Sequence, residues 1–508
     1  MTRIAVATTS QLAAEAAEEV AASGGNAVDC ALAAALLSIN AEPGVCALAG
    51  SAFITIWRAS DDPVTIDGNV AVPGNGLNDE QRGHGAVRVT LDYGGGLTTL
   101  VGPGSVAVPG TLAAMEDAWK RYGNASWSDI FAPTIRACRE GFPLSAACRY
   151  YLGYSASRIF DRSDDGYAAL HREDGTLRDA GDTIIVPHLA DSLTQIAEEG
   201  ARVFYEGDIA RAIAGHCQDG SGMLTLADLT AYQAKERAAI TTDIGDWSIA
   251  SNPPPAVGGS VLAATLLACS DLGDSYWSSA DLAKLIRAQQ ACLDFRKRHL
   301  DLADDVGTEA ARLVESARSG RLQARWASAS TVHTSVVDSD GTGCAITASS
   351  GYGSGEMPRG TGLWLNNCLG EIELNRRGLD AGPVGARLPS NMAPSVARRD
   401  GVVLAAGSPG ADRITTALQQ FLINYVQREM SLEDAIAHPR VHVDTSGDCV
   451  RLMAEPGLDL PEIELPVTVF PSLVMYFGGV GAAVSHRAGR IEAAADPRRD
   501  GGVFVSGS

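Results

Sequence analysis

A run of alternating polar and apolar residues at positions 330–338 carries the residue types best suited to chemistry. From Val332 onward the alternation predicts a β-strand with one buried face. The small and polar residues 320–329 before it are typical of an exposed loop. If the bond between Ser330 and Thr331 is cut, Thr331 becomes an N-terminus whose hydroxyl lies beside its own α-amine. That amine has a reference pKa of about 7.7–8.0, so it can act as general base for the hydroxyl. From this segment alone, a threonine that merely opens a strand is the simpler interpretation.

A glycine-rich turn at residues 405–413 is the second candidate element. It leads directly into residues 414–422, which are apolar at helical spacing. Backbone N–H groups at such a helix N-terminus have no partner within the helix and can bind a developing oxyanion. An ordinary turn before a helix explains the same residues equally well.

The histidines do not indicate a metal site or a base. His333 lies two residues after Thr331 and therefore on the same face of the predicted strand, where a hydrogen-bonded core histidine is expected. His438 and His442 flank Pro439, which breaks the helix that a zinc pair four residues apart would need. The sequence predicts neither metal nor cofactor.

Composition narrows the class of protein. The 508 residues are 45% hydrophobic and 20% charged, which is typical of a globular chain. The formal charge of −21 argues against nucleic acid or an anionic membrane as partner. The N-terminal residues lack a secretory signal pattern, and no apolar run approaches the ~20 residues of a membrane span. Ten scattered cysteines without a CxxC pair indicate reduced thiols. We expect a cytoplasmic protein.

The opening of the chain predicts three elements. Residues 11–22 are helical in pattern and end at Gly24 and Gly25. Asn26 can cap a second helix, which is apolar on all sides through residues 31–37 and should be buried. A strand follows at residues 52–57.

This opening resembles the γ-glutamyltranspeptidase family. The shared features are Gly-Gly-Asn-Ala-Val-Asp at residues 24–29 and Glu-Pro at residues 42–43, although the glycine run that follows in the family is eroded here. The resemblance recurs in order along the chain, at residues 108–111, 127–133, 139–143, 204–207, 224–229, 252–255, 331–338 and 496–501. Each short match alone is weak evidence. The resemblance rests on the order of the matches along the chain and on their distance from residue 331.

The resemblance implies a fold and a maturation step. Members of the family are N-terminal-nucleophile hydrolases of the α/β (α+β) class, with a four-layer αββα sandwich. The precursor cuts itself before the nucleophilic threonine. Here that implies a large subunit of residues 1–330 and a small subunit of residues 331–508, held together as a heterodimer with one intertwined core. Thr331 is then the nucleophile, with Gly410 and Ala411 as oxyanion donors. The family has two successive glycines at this turn, and Ala411 replaces the second. Only the N–H group is needed, so alanine is acceptable at 411 if its φ is negative.

The expected substrate-binding residues combine a match with several departures. Ser390 and Asn391 stand where the family's Ser-Ser-Met-Ser-Pro loop holds the substrate carboxylate. An amide can still donate, so anion binding is expected there. The family's arginine for the same carboxylate belongs near Asn78, where this chain has none; Arg82 and Arg88 are the nearest.

The remaining departures fall on the contacts to the glutamyl group. Ser349 and Gly351 stand where the family's loop supplies a threonine and an asparagine. Cys368 and Glu371 stand where a glutamine and an aspartate grip the glutamyl ammonium. A site built on buried hydrogen bonds loses affinity when donors vanish, so the catalytic machinery is a firmer expectation than a glutamyl substrate.

Three functions remain open at this point. The first is cleavage of an amide of a small anionic, γ-glutamyl-like substrate through an acyl-enzyme. The second is carbon–carbon bond hydrolysis by the same threonine, as in relatives from antibiotic pathways that build alkylated proline units. The third is an uncleaved, inactive homologue that only binds a small acid or a protein; the intact Thr331 and oxyanion turn disfavour it.

Overall fold

A computed structural model describes residues 2–92, 96–272, 277–319, 331–379, 381–444 and 449–507. Its strands in chain order are β1 (Ile4–Thr8), β2 (Ser51–Trp57), β3 (Val64–Gly68), β4 (Val87–Leu91), β5 (Leu97–Val101), β6 (Phe142–Pro143), β7 (Thr183–Ile184), β8 (Lys235–Ala238), β9 (Ile240–Ile244), β10 (Trp247–Ser251), β11 (Val332–Asp338), β12 (Gly343–Ser349), β13 (Ser395–Arg399), β14 (Val402–Gly407), β15 (Val441–Asp444), β16 (Arg451–Ala454), β17 (Val467–Val469), β18 (Gly481–Ser485), β19 (Ile491–Ala495) and β20 (Gly502–Val505).

The α-helices lie between groups of these strands along the chain. They are α1 (Gln11–Ala22), α2 (Ala27–Asn40), α3 (Thr111–Tyr122), α4 (Trp127–Glu140), α5 (Ala146–Ser155), α6 (Asp164–Leu170), α7 (Leu189–Glu199), α8 (Arg202–Glu206), α9 (Asp208–Asp219), α10 (Leu226–Ala231), α11 (Gly258–Leu267), α12 (Ser279–Phe295), α13 (Val306–Arg318), α14 (Arg413–Leu422) and α15 (Leu432–Ala437). No helix in these described ranges is both long enough and apolar enough to cross a lipid bilayer.

Two antiparallel sheets form the centre of the molecule. One has the order β20-β1-β11-β12-β2-β3-β8 and the other β19-β18-β14-β13-β10-β9. They face each other through a layer of small and branched residues. Helices α1, α2 and α3 cover the outer face of the first sheet, and α11 and α14 cover that of the second. The four-layer αββα sandwich predicted from the sequence is therefore confirmed.

Both sheets contain strands from before and strands from after residue 331. In the first sheet β11 and β12 lie between β1 and β2, and in the second sheet β13 pairs with β10. A cut before Thr331 would therefore divide the chain without dividing the core.

Local sequence explains the helix that packs beneath the central strands. The Asn26 side chain accepts from the backbone N–H of Val28 and Asp29, at 2.8 and 3.1 Å, and Asp29 accepts from the Asn26 N–H at 2.9 Å. This reciprocal cap satisfies the orphan donors at the start of α2. Every residue of α2 is buried, as its apolar circumference predicts.

Candidate functional site

A small cavity of about 30 Å³ lies where strand ends of both sheets meet. It gathers most of the site residues expected from the sequence. Its lining is Ser51, Asn69, Val70, Thr331, Ser349, Cys368, Glu371, Leu374, Pro389, Ser390, Asn391, Met392, Ala411 and Ile414.

Thr331 is held at one end of the central strands of the first sheet. It precedes β11, is 2% exposed and lines the cavity. Strand β11 pairs with β12 so that Val332 faces Ala348, and one further step in this register places Thr331 opposite Ser349. Ser349 in turn pairs with Ser51 of β2. The three hydroxyl residues thus form a row across the sheet. The expected cleavage partner Ser330 lies outside the described residues.

His333 fills the space between the two sheets beside this row. Its Nδ1 and Nε2 lie 2.8 and 2.7 Å from the hydroxyl oxygens of Thr347 and Ser335. Burial lowers the pKa of His333 to about 3, so the imidazole is neutral at physiological pH. A Cβ on Gly407 would lie 2.1 Å from the ring, so β14 reaches this position only with glycine. His333 is thus a hydrogen-bonded core histidine, as expected.

The turn after β14 presents two backbone N–H groups near the cavity. Helix α14 begins at Arg413, as the sequence indicates, and Ala411 lines the cavity. Within the described part of the chain, the N–H groups of Gly410 and Ala411 donate to no protein acceptor. Such unpaired donors at a helix N-terminus can stabilise an oxyanion. Gly410 itself lies on the wall of a neighbouring cavity rather than of this one.

The conformation of Ala411 differs from the expectation. A negative φ was the condition under which alanine would suit this turn, but its φ is +65°, and that of Gly410 is +120°. Both residues occupy backbone regions that favour glycine, because a Cβ crowds the neighbouring carbonyl there. Ala411 therefore holds its N–H group in place at the cost of local strain, on the order of 1–2 kcal/mol.

The loop before β13 supplies Ser390 and Asn391. The Ser390 carbonyl accepts from the N–H groups of Val257 and Gly258 at the start of α11, at 2.9 and 3.0 Å, which fixes the loop. The Asn391 amide donates to Asp412, next to Ala411. The loop and the oxyanion turn are thus joined by a direct hydrogen bond.

Glu371 adds a buried carboxyl group to the cavity lining. Burial raises its pKa to about 8, and the Cys368 thiol beside it, with a pKa raised far above the usual value by burial, donates to it. Gly351 does not line the cavity. A Cβ there would lie 2.3 Å from Asn367 Oδ1 and 2.9 Å from Glu371 Oε2, so the absence of a side chain makes room for Glu371.

The cavity lining contains no lysine or arginine. Arg82 packs against Gly74 and Arg88 is exposed on β4, and neither lines the cavity. Across the described ranges, no cluster of three or more His, Cys, Asp or Glu residues is arranged to hold a metal ion.

Some residues of the site were not expected from the sequence. Ser51 and Asn69 line the cavity, and a buried arginine, Arg296, donates to Asp412 at 2.6 Å and to Asp301 at 3.0 Å. The position of Ser51 directly after Gly50 was a usable signal for a cavity residue. No local signal connects Arg296 to a turn more than a hundred residues away.

Comparison with known proteins agrees with this arrangement. The family profile described as gamma-glutamyltranspeptidase matches residues 13–506, nearly the whole chain. The chain belongs to the gamma-glutamyltranspeptidase family. Among curated relatives of the family, the glutathione hydrolase proenzyme of Escherichia coli is 29% identical over 86% of this chain and 80% of its own. An acylase proenzyme, ACY 1 of a Pseudomonas species, is 28% identical over 99% of this chain and 93% of its own.

The fold can also be compared with a solved structure. The crystal structure of cephalosporin acylase from Bacillus halodurans superposes with a TM-score of 0.76 at 22% identity, covering 99% of this chain and 96% of that one. At this identity the match concerns the fold. The chain thus belongs to an enzyme family and has the N-terminal-nucleophile hydrolase fold.

Proposed function

We propose that the protein is an autoprocessing hydrolase or acyltransferase in which Thr331 is the nucleophile and becomes an N-terminal residue by cleavage of the Ser330–Thr331 bond. The observation that carries this proposal is the meeting of Thr331 and the unpaired Ala411 N–H group in one cavity. Curated relatives described as proenzymes support the maturation step. The products are subunits of residues 1–330 and 331–508 that stay together as a heterodimer.

The chemistry is acyl transfer through the threonine hydroxyl. Thr331 Oγ attacks the substrate carbonyl while its own α-amine takes the hydroxyl proton. The N–H groups of Gly410 and Ala411 stabilise the oxyanion. The carbon–nitrogen bond then breaks, and the leaving amine takes the proton from the α-amine. Water, or a second amine, attacks the ester and regenerates the hydroxyl.

The cavity supports a small acyl group that carries both charges of an amino acid. Ser390 and Asn391 offer polar groups for a carboxylate, and Glu371 faces the cavity without a basic partner in its lining. Because burial holds the pKa of Glu371 near 8, an entering ammonium group would favour its ionised form. A γ-glutamyl-like amide meets both requirements, with Ser349 and Cys368 completing the contact surface.

A carbon–carbon bond hydrolase is the second candidate. The observation that favours it is that Cys368 lines the cavity where the family has a glutamine that grips the glutamyl ammonium. A substrate that lacks the glutamyl ammonium would not need this contact. The Thr331 hydroxyl would attack a ketone, and a stabilised carbanion would leave and take the proton. Relatives in antibiotic pathways are the precedent for this reading.

A cytoplasmic location remains a prediction; the ten cysteines form no disulfide and nine are buried.

The first experiment separates these functions. Purified protein is examined on a denaturing gel and then assayed with γ-glutamyl 4-nitroanilide, alongside Thr331→Ala and Thr331→Ser. We expect two fragments and nitroaniline release from the wild type, one band from Thr331→Ala, and slower processing from Thr331→Ser. A fully cut enzyme that is silent with the anilide would favour the carbon–carbon reaction, whereas an uncut wild type would favour the inactive homologue.

A further inference from the structure

Glu371 reaches the candidate functional site from the end of a short buried segment, residues 366–371. Asn367 attaches this segment to the loop after β12, because its backbone N–H donates to the Ser350 carbonyl at 3.1 Å. The Asn367 carbonyl accepts from the Gly370 N–H at 2.7 Å, which closes a turn directly before Glu371. The position of the Glu371 carboxyl group therefore depends on what fixes this turn.

The Asn367 side chain has protein partners for both of its polar atoms. Its Nδ2 donates to the Thr99 hydroxyl and to the Leu100 carbonyl, each at 3.0 Å. Its Oδ1 accepts from the Tyr352 N–H at 2.7 Å. Asn367 is fully buried, so the loss of one of these bonds would leave a polar group without water to replace it. The amide thus joins strand β5 to the loop after β12.

Thr99 of β5 holds the same turn through its hydroxyl and is also fully buried. The hydroxyl accepts from Asn367 and donates to the Gly370 carbonyl at 2.9 Å, and the Leu100 N–H donates to that carbonyl at 3.0 Å. A Cβ on residue 370 would lie 2.1 Å from the Leu100 carbonyl oxygen, so this close approach requires glycine. The Gly370 carbonyl belongs to the peptide bond that leads into Glu371. Thr99 therefore fixes the peptide plane from which the Glu371 side chain starts.

The Asn367 amide also borders the space that the Glu371 carboxyl occupies. A Cβ on Gly351 would lie 2.3 Å from Asn367 Oδ1 and 2.9 Å from Glu371 Oε2. The amide and the carboxyl thus pack side by side against the same glycine. A change in the position of the amide would alter the room that is left for the carboxyl.

We propose that Thr99 is a positioning residue whose hydroxyl holds the Glu371 carboxyl where it binds the cationic group of the substrate. It acts through the Asn367 amide and the Gly370 carbonyl. The identity of the cationic group, an ammonium, rests on the proposed cleavage of a γ-glutamyl-like amide. Thr99 precedes residue 331 and Glu371 follows it, so the selectivity of the mature enzyme for an ammonium group is a property of both subunits.

A stability cycle tests the positioning without requiring turnover. Thr99→Val and the smaller Thr99→Ala both remove the hydroxyl, whereas Thr99→Ser retains it. Each is combined with Glu371→Gln and unfolded in urea at pH 8, where ionisation of the buried carboxyl opposes folding. We expect the stability gain from Glu371→Gln to fall by about half without the hydroxyl, because a released carboxyl can reach water, and to be kept with serine. Glu373, whose pKa burial also raises to about 8, is present throughout and cancels in the cycle.

Thr98→Val is the matched control for this cycle. Thr98 is the neighbouring residue of β5, is less buried than Thr99, and has its hydroxyl 3.1 Å from that of Thr90 on the exposed side of the hairpin. Thr98→Val should leave the gain from Glu371→Gln unchanged. The same gain in the Thr99→Val, Thr99→Ala and wild-type backgrounds would overturn the inference.

Turnover then shows whether the positioned carboxyl serves the substrate. γ-Glutamyl 4-nitroanilide is compared with glutaryl 4-nitroanilide, which lacks the ammonium group. We expect Thr99→Val to raise the KM of the first about 10-fold with little change in kcat, and to leave the KM of the second unchanged. Thr99→Ser should restore the wild-type preference.

The two readouts separate the inference from the proposed function. An equal loss of activity on both anilides in Thr99→Val would show a merely structural role and overturn the inference. A wild type that does not prefer the γ-glutamyl anilide, in a protein whose stability cycle shows the coupling, would overturn the γ-glutamyl-like substrate. The positioning of Glu371 by Thr99 would then stand.

Discussion

At the scale of single residues, the site is shaped by side chains that the family pattern does not supply. Glu371 is accommodated because residue 351 is glycine, and its carboxyl lies next to a protonated thiol from Cys368. Such a buried acid is costly to ionise without a cation. Its presence in a cavity beside Thr331 is best explained by a substrate group that offsets this cost.

The pKa of Glu371 gives a stability prediction with a definite sign. The folded-state pKa of about 8 lies above the ordinary glutamate value of 4.5, so between these pH values the folded state keeps a proton that the unfolded state has lost. The stability that the protonated Glu371 carboxyl contributes is therefore lost as the pH rises from 4.5 towards 8. Glu371→Gln cannot ionise, and should be more stable than the wild type at pH 8 by on the order of 2 kcal/mol, but not at low pH.

Urea denaturation at both ends of this pH range measures the effect. Glu433→Gln, at an exposed position of α15, serves as control and should follow the wild type at both ends. If Glu371→Gln were more stable than the wild type by the same amount at low and high pH, ionisation of Glu371 would not be the cause.

The backbone of Ala411 gives a second prediction at this scale. Because its φ is +65°, Ala411→Gly relieves the left-handed strain and should stabilise the protein by about 1 kcal/mol. Ala417→Gly, inside α14, should destabilise it by about 1 kcal/mol or more, since glycine is a poor helix former. Thermal denaturation compares the two variants, and a loss of stability in both would mean that residue 411 is not strained.

At the scale of elements, the sequence predicted what is locally encoded. The helices at residues 11–22 and 27–40 follow from periodicity and from the Asn26 cap, and β11 follows from alternation. The left-handed Ala411 was not predictable, because alanine normally avoids that conformation. The neighbouring cavity, which Gly410 lines, combines side chains as far apart in the sequence as those of Glu42 and Arg499. Only the tertiary fold brings them together, so no spacing in the sequence reveals them.

The end of α12 supports the oxyanion turn. Arg296, in the π-helical turn that follows α12, is buried with Asp301 and Asp412, and Asp412 also accepts from Asn391. Arg296→Met would leave two buried carboxylates without their cation, and should cost about 3–5 kcal/mol of stability. Arg318→Met removes an exposed ion pair to Glu315 and should cost less than about 1 kcal/mol.

Chemical denaturation distinguishes these two arginine variants. The double variant with Arg296→Met and Asp412→Asn should recover part of the lost stability, because it removes one of the two uncompensated charges. Equal stability of the two single variants would show that the buried network does not support the turn.

At the scale of the whole molecule, both sheets are built from strands on either side of residue 331. After cleavage, neither fragment would contain a complete sheet, because β11 and β12 would be missing from between β1 and β2. We therefore predict that the two fragments elute together in size-exclusion chromatography and separate only when denaturant unfolds the core. Elution of a folded 1–330 fragment alone would contradict the shared core.

The most direct test is the identity of the N-terminal residues in the purified, active enzyme. We expect two N-termini, one at the start of the chain and one at Thr331, with mass spectrometry locating the acyl group from a slow substrate on the Thr331 peptide. Thr331→Ala should remain a single chain without activity. An active enzyme that consists of one unbroken chain, or a new N-terminus at any other residue, would contradict this expectation.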